Sequence, residues 1–345
     1  MKKLKALSRL RPVLSRLKFS LGLSPHLDRN QADPAMFIPE PYKAVCLISA
    51  DFELAWAFRF SRSSSDPLKN AVERGSQTRK NVPGILRLCD EYNVPVTWAT
   101  VGHLFLQSCR REDGLAHPDI LRLGKFENAY WSFQGKDWFV DDPCTDYQRD
   151  PAWYCPDLIE DIISKPAGHE IGCHTFSHID CRDSVCSREV FLSELNACAE
   201  AAEIYGLRLR SFVHPGHQLG HVADLAKLGY TSFRTDDGDT LAHPRLHKPG
   251  IWEFRNTACL DWREGWSSSY HVRRYKAIIH RAIKHRKTCV FWFHPSFSER
   301  FMDEVFAEVM EYLHLRGKEI VCLTHGAYAD WLTDQNQLNS RTGNS

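Results

Sequence analysis

The sequence predicts an α/β fold built on a parallel sheet, closed as a barrel in preference to an open doubly wound sheet. Three observations predict it. Residues 44–50 form a continuous apolar run that ends at Asp51, the pattern of a strand buried on both faces. Thr288–Phe293 repeats that pattern late in the chain. Between and after these runs, strand-like and helix-like stretches alternate in seven or eight units, as right-handed βαβ crossovers require.

Taken in order, residues 20–40 hold Pro25, Pro34 and Pro39 and read as an irregular approach. Strand 44–50 is followed by a helix at 82–92 and a strand at 94–100. Residues 105–155 are irregular and rich in aromatics, and a loop region of that length is usually functional. A helix at 157–164 leads to a short strand at 169–174. A helix then spans 187–205, entered at Ser187 and ended by Gly206. Strand 210–213, helix 219–228 and strands 230–235 and 251–255 follow. A basic helix at 272–286 precedes Thr288–Phe293, and helix 300–316 with strand 319–323 closes the pattern. The expected domains are an amphipathic leader and irregular segment at 1–40, one catalytic domain at 41–335 and a flexible tail at 336–345.

Composition narrows the function. A 345-residue chain that is 43% hydrophobic can bury a large core. Its net charge of +1 gives no global field to attract nucleic acid. The sequence has no GxGxxG or GxxxxGK[ST], so nothing supports nucleotide-phosphate binding. Residues 1–19 carry seven lysines and arginines, no acid, and leucines at three- and four-residue steps. They read as a short basic helix lying on an anionic membrane surface, against a solvated leader or a helix packed on the body. No apolar run of signal-peptide or membrane-span length is legible, so the expected location is cytoplasmic, with membrane contact through residues 1–19. The 12 cysteines lack tight pairing and read as reduced thiols. Cys173 and Cys181, near the candidate site, read as small core residues first and reactive thiols second.

In parallel α/β folds, function sits at the C-terminal strand ends. Asp51 and Glu53 follow the first strand and His174 and His178 the third. His214 and His217 follow the fourth, Arg234 and Asp236 belong to the fifth, and His294 follows the late strand. In His174-Thr175-Phe176-Ser177-His178, a helical turn would point both imidazoles the same way. Two imidazoles and one carboxylate suit zinc or another divalent transition metal and leave positions open for water and substrate. Of Asp51 and Glu53, one can bind metal while the other serves as base. His294, among Phe291, Trp292 and Phe293, is either a buried structural histidine or a proton-transfer group.

Three segments together resemble the polysaccharide deacetylases, the family-four carbohydrate esterases: Ser49-Ala50-Asp51-Phe52-Glu53, His174-Thr175-Phe176-Ser177-His178, and the apolar strand ending in His294-Pro295. The resemblance spans most of residues 44–335. It implies a distorted seven-stranded (β/α) barrel and removal of an N-acyl group, in the usual case acetyl, from an amino sugar. Asp51 would be general base, Glu53, His174 and His178 the ligands of one divalent metal ion such as zinc, and His294 general acid. Trp56, Trp131 and Trp138 would offer faces to a sugar ring, with Pro215, Gly216, His217 and Asp236 beside the substrate. The chain departs from the family twice. Phe52 separates the two acids of the first motif, giving a variant Asp-x-Glu pattern. The arginine that orients the base is missing from Phe212-Val213-His214-Pro215-Gly216-His217, and Arg234 is the candidate to replace it. The implied partner is an amino-sugar glycan or its lipid-linked or nucleotide-linked precursor. A non-catalytic sugar-binding relative and a non-haem iron oxygenase are the alternative readings.

Overall fold

Strand β1 (Ala44–Phe52) is the axis of the architecture. The computed structural model describes residues 16–19, 24–30, 32–236 and 239–342, and all nine residues of β1 are buried. The other strands of its sheet are β2 (Thr97–Thr100), β3 (Glu170–Cys173), β4 (Ser211–Val213), β5 (Ser232–Thr235), β6 (Arg245–His247), β7 (Ile251–Arg255), β8 (Ala258–Cys259), β9 (Thr288–Phe293) and β10 (Ile320–Leu323). Their order is β6-β7-β5-β4-β3-β2-β1-β9-β8, with β10 also pairing β1. Within this sheet only β6 is antiparallel, to β7.

One edge of β1 pairs β9 from Val45 to Ala50. Its other edge is divided. Residues 44–47 pair β10 and residues 49–52 pair β2. Such a split suits strands strongly tilted to the axis, as barrel closure demands. The curl is visible in the chain itself. β7 ends at Arg255 and β8 begins at Ala258 on the opposite flank, beside β9. Only Asn256 and Thr257 lie between, a reach of roughly 10 Å at most. The Asn256 N–H donates to Thr235 O of β5 and the Thr257 N–H to Val290 O of β9. The sheet is therefore rolled into an incomplete barrel, and the whole forms one domain.

The sheet exceeds the expected seven strands. All eight strand segments read from the sequence are present. β6 and β8, three and two residues long, are added at the ends of the sheet. Pairs and triplets are too short to leave a periodicity.

The helices are α1 (Pro67–Tyr92), α2 (Pro156–Ser164), α3 (Arg188–Glu203), α4 (Val222–Lys227), α5 (Ser268–His285), α6 (Ala307–Leu315) and α7 (His325–Thr342). α1 begins 15 residues before the expected start at 82. Asp66 caps it by accepting from Lys69 N, and Pro67 occupies its first turn. Pro83 and buried polar residues masked its period. Asn81, wholly buried, donates to Pro295 O and Phe297 O and so ties α1 to the turn after β9. The helix expected at 300–316 is interrupted by a π-helical stretch at Met302–Phe306. α7 runs through most of the segment expected as a tail. Gln335, Asn336 and Gln337 are polar, but no Gly or Pro stops a helix before Gly343.

The leader expected at 1–19 lies outside the described residues except for 16–19. Those four are helical and pack on the body, with Arg16 over the Tyr270 ring at 4.8 Å. Among the described residues no helix is long and apolar enough to cross a membrane. The 105–155 excursion holds two short antiparallel ladders and buries Phe133, Trp138, Phe139 and Trp153 in the core.

Candidate active site

Strand alternation explains the first motif. Ser49, Asp51 and Glu53 are two residues apart, so they share one face of β1 and of the chain just beyond it. The Asp-x-Glu spacing therefore aims both carboxylates into the same space, where adjacent acids on a strand would diverge. His174 follows β3 directly and His294 follows β9 directly, so both reach the same end of the barrel.

The two acids have different partners. Arg234, on β5, donates from Nη1 to Asp51 Oδ1 at 2.6 Å and from Nη2 to Asp51 Oδ2 at 2.8 Å. Nη1 also donates to Ser49 Oγ at 2.8 Å. The guanidinium lies over Trp292, 5.1 Å from the ring centroid. Burial alone would raise the Asp51 carboxyl, but the facing guanidinium overrides it and holds Asp51 at about 2. Arg234, from the strand after the middle motif, thus holds Asp51 in a two-pronged pair.

Glu53 faces histidines instead. Its Oε2 lies 2.8 Å from His178 Nε2 and 3.2 Å from His174 Nε2. His294 Nε2 is 3.0 Å from Oε1 but off hydrogen-bond geometry, which leaves Oε1 buried without a hydrogen bond. Burial opposes ionisation of Glu53, yet the surrounding imidazoles hold it well below the usual carboxylate range. Burial also pushes His178 down to about 4, so its ring is neutral near pH 7. His294 is raised, because Glu53 and Asp51 outweigh the opposing effect of burial.

The donor set fits a cation. His174 Nδ1 is 2.7 Å from Val213 O, a group that can only accept, so the proton sits on Nδ1. In the neutral tautomer that this contact selects, Nε2 is the ring's lone-pair donor, and it faces the Glu53 carboxylate. Two imidazole nitrogens and an ionised oxygen thus meet in one buried space, a donor set that suits a divalent cation. The ligating atoms of Glu53, His174 and His178 lie within 4.8 Å of one another. Asp51, engaged by Arg234, is not part of that set.

The histidine pair does not form the helical turn expected of HxxxH. Thr175 and His178 have positive φ of 59° and 62°, and the segment is a tight loop. The Ser177 N–H and hydroxyl both donate to the buried carboxylate of Glu194, which pins that loop.

These groups open onto a cavity of about 580 Å³, within the range of small-molecule sites. Asp51, Glu53, His178 and His294 form its floor, and Gly216, His217, Asp236 and Trp131 line it, as expected from the sequence. Gly216 has φ of +55°, and a Cβ built there would sit 2.5 Å from Trp131 Cη2. Pro215 is buried away from the cavity. Trp56 and Trp138, expected to face a sugar ring, do not line the cavity. Trp56 is 1% exposed and packs on Trp153 and His103, and Trp138 donates its N–H to Ser177 Oγ. Both are structural. Sequence reasoning missed Phe58, Tyr130 and Trp292 in the cavity wall. Trp292 was detectable, since it shares the His294 face of β9. Cys173 and Cys181 are fully buried, which suits packing.

The family model for polysaccharide deacetylase matches residues 71–233. Residues 71–233 are thus similar to the polysaccharide deacetylase family. Proteins of that family are hydrolases of the class acting on carbon–nitrogen bonds other than peptide bonds. The match includes His174 and His178 and stops one residue before Arg234. Asp51, Glu53 and His294 lie outside it and line the same cavity as His178. A protein described as a polysaccharide deacetylase from Mycobacterium smegmatis has similar coordinates, with TM-score 0.57 and 15% identity over 88% of this chain and 96% of its own. A second so described, from Pseudomonas aeruginosa PAO1, gives 0.58 and 13% over 88% and 94%. Puue allantoinase gives 0.59 and 14% over 88% and 93%. At these identities the likeness establishes the fold. No curated protein matches the sequence.

Proposed function

We propose that the domain is a metal-dependent deacetylase that hydrolyses the N-acetyl, or another small N-acyl, group of an amino sugar. The observation that carries this reading is the convergence on one cavity of a Glu53–His174–His178 donor set, an Arg234-clamped Asp51 and His294. A divalent cation such as zinc held by those three residues would polarise the amide carbonyl and acidify a water.

The chain's own groups do the rest. Asp51 is ionised at any working pH and accepts the proton of the attacking water. Arg234 fixes the plane of that carboxylate, so its oxygens cannot swing toward Glu53. His294 lies across Glu53 from the two ligand histidines and delivers a proton to the departing amine nitrogen. Water adds to the acyl carbon, the C–N bond breaks, and a carboxylic acid and an amine result. Trp131 and Tyr130 present ring faces to the sugar.

The favoured substrate is a cytoplasmic precursor of a surface polysaccharide, nucleotide-linked or lipid-linked. The basic stretch 1–19 suits the lipid-linked case. The test is release of acetate from N-acetylglucosamine oligomers and from nucleotide-linked N-acetyl sugars with zinc present. Metal binding with no hydrolysis of any N-acyl sugar overturns the reading. A two-histidine, one-carboxylate set is also that of iron oxygenases. Turnover that depends on iron and dioxygen would select that chemistry instead.

A further inference from the structure

A second set of metal-type donors lies on the 105–155 excursion and the turn before it. His103 follows β2, and Cys109, His117 and Asp142 come from separate stretches of irregular chain. Asp142 Oδ2 is 3.0 Å from His103 Nε2 and 2.9 Å from His117 Nε2. Cys109 Sγ is 3.7 Å from His103 Nε2 and 3.6 Å from each Asp142 oxygen. Zinc at bond lengths of about 2.0 Å to nitrogen and oxygen and 2.3 Å to sulfur gives tetrahedral edges of roughly 3.3–3.6 Å. The sulfur edges lie close to those values, and the two carboxylate–imidazole edges are about 0.3–0.4 Å shorter.

The protonation pattern points the same way. His103 Nδ1 lies 3.2 Å from Trp153 O, which can only accept, so Nδ1 carries the proton. A neutral His103 therefore aims a lone pair at the Asp142 carboxylate. The His103 side chain is wholly buried, so a doubly protonated ring there would be a buried charge. The Cys144 N–H donates to Asp142 Oδ1, which fixes the carboxylate from behind.

We propose that His103, Cys109, His117 and Asp142 form a closed, four-ligand structural centre for a zinc-type ion, separate from the Glu53–His174–His178 set. One thiolate and one carboxylate balance a divalent cation, so the buried centre is neutral. Binding the ion would displace the Cys109 thiol proton to solvent, leaving the thiolate as ligand. All four positions of the tetrahedron are filled by protein, the mark of a structural site, whereas the catalytic set has three donors and an open position. The centre fastens both arms of the excursion, and between those arms lie Tyr130 and Trp131 of the cavity wall.

The two sets differ in sulfur, and this makes them separable. The full chain, metallated with zinc and dialysed, should hold two equivalents, and His174→Ala should hold one. His174→Ala loaded with cobalt should show a thiolate-to-cobalt charge-transfer band, since only the second set has a cysteine. That measurement leaves the proposed centre unaltered, so misfolding of a cluster variant cannot obscure it. Adding Cys109→Ser should abolish the band, with folding checked by circular dichroism. Cobalt-loaded His174→Ala without the band overturns the proposal. So does a band that survives Cys109→Ser. Loss of deacetylation bears on neither result.

Discussion

Arg234 grips both oxygens of Asp51 at 2.6 and 2.8 Å from a position 183 residues further along the chain. The fork holds a buried carboxylate ionised and in one plane. Arg234→Met strips that carboxylate of its partner. We expect kcat to fall about 100-fold and stability to drop by about 3–5 kcal/mol, as when one member of a buried pair is removed. Arg234→Lys keeps the charge without the fork and should recover stability more than rate. Unchanged kcat in Arg234→Met, read beside its urea midpoint, would show that orientation of Asp51 does not matter.

Asp51 and His294 are assigned opposite proton transfers. Asp51→Asn and His294→Ala should each lower kcat by roughly 10²–10⁴ while leaving metal content at the Glu53 set intact. Steady-state kinetics with metal analysis on the same preparations checks this. A variant that loses its metal along with its rate would recast that residue as a ligand.

Metal removal should be reversible in the parent and not in a ligand variant. Chelator-treated protein should lose hydrolysis and regain it with zinc. His178→Ala should stay inactive at the same zinc concentration. Full activity after exhaustive chelation would end the metal-dependent reading.

The Gly216–Trp131 contact is tight enough to test the cavity wall. Gly216→Ala adds a methyl group at 2.5 Å from Trp131 Cη2 on a residue with positive φ. Trp131 must move, so KM should rise with little change in kcat. Trp131→Ala should raise KM by roughly five- to tenfold, the worth of about 1 kcal/mol of ring stacking. Unaltered KM in both variants would remove Trp131 from the substrate.

His325, at the start of α7, contributes to the acid limb of stability. It is fully buried, its ring nitrogens have no hydrogen-bond partner among the described residues, and burial lowers it to about 3. The unfolded chain takes up this proton first as pH drops below about 6.5. Stability present above that value is therefore lost progressively as pH falls toward 3, at up to about 1.4 kcal/mol per pH unit. His325→Phe, set against the Phe254 ring that His325 now meets at 5.2 Å, should flatten that slope. Denaturant midpoints at pH 7, 5.5 and 4.5 measure it, and an unchanged slope would count against His325.

Much of this was legible in the residues, for reasons that differ by element. β1 and β9 declare themselves because burial on both faces leaves an unbroken apolar run. His174, His178 and His294 stand out because each follows a strand, where parallel sheets place their chemistry. The front of α1 was hidden, since Asn81 serves a tertiary contact and Pro83 reads as a breaker. Trp56 and Trp138 looked like sugar platforms because composition does not tell a buried ring from an exposed one. His103, Cys109, His117 and Asp142 left no motif at all. They are scattered over about 40 residues and are brought together only by the excursion's folding.

The two-residue joint at Asn256 and Thr257 has a further consequence. Because the chain steps straight from one flank of the sheet to the other, neither flank offers a long row of unpaired backbone groups. Past β7 lies three-residue β6, and past β9 lies two-residue β8. Strand-by-strand templating onto another molecule needs a long open flank. The two ends of the sheet are thus poor templates for amyloid-like extension.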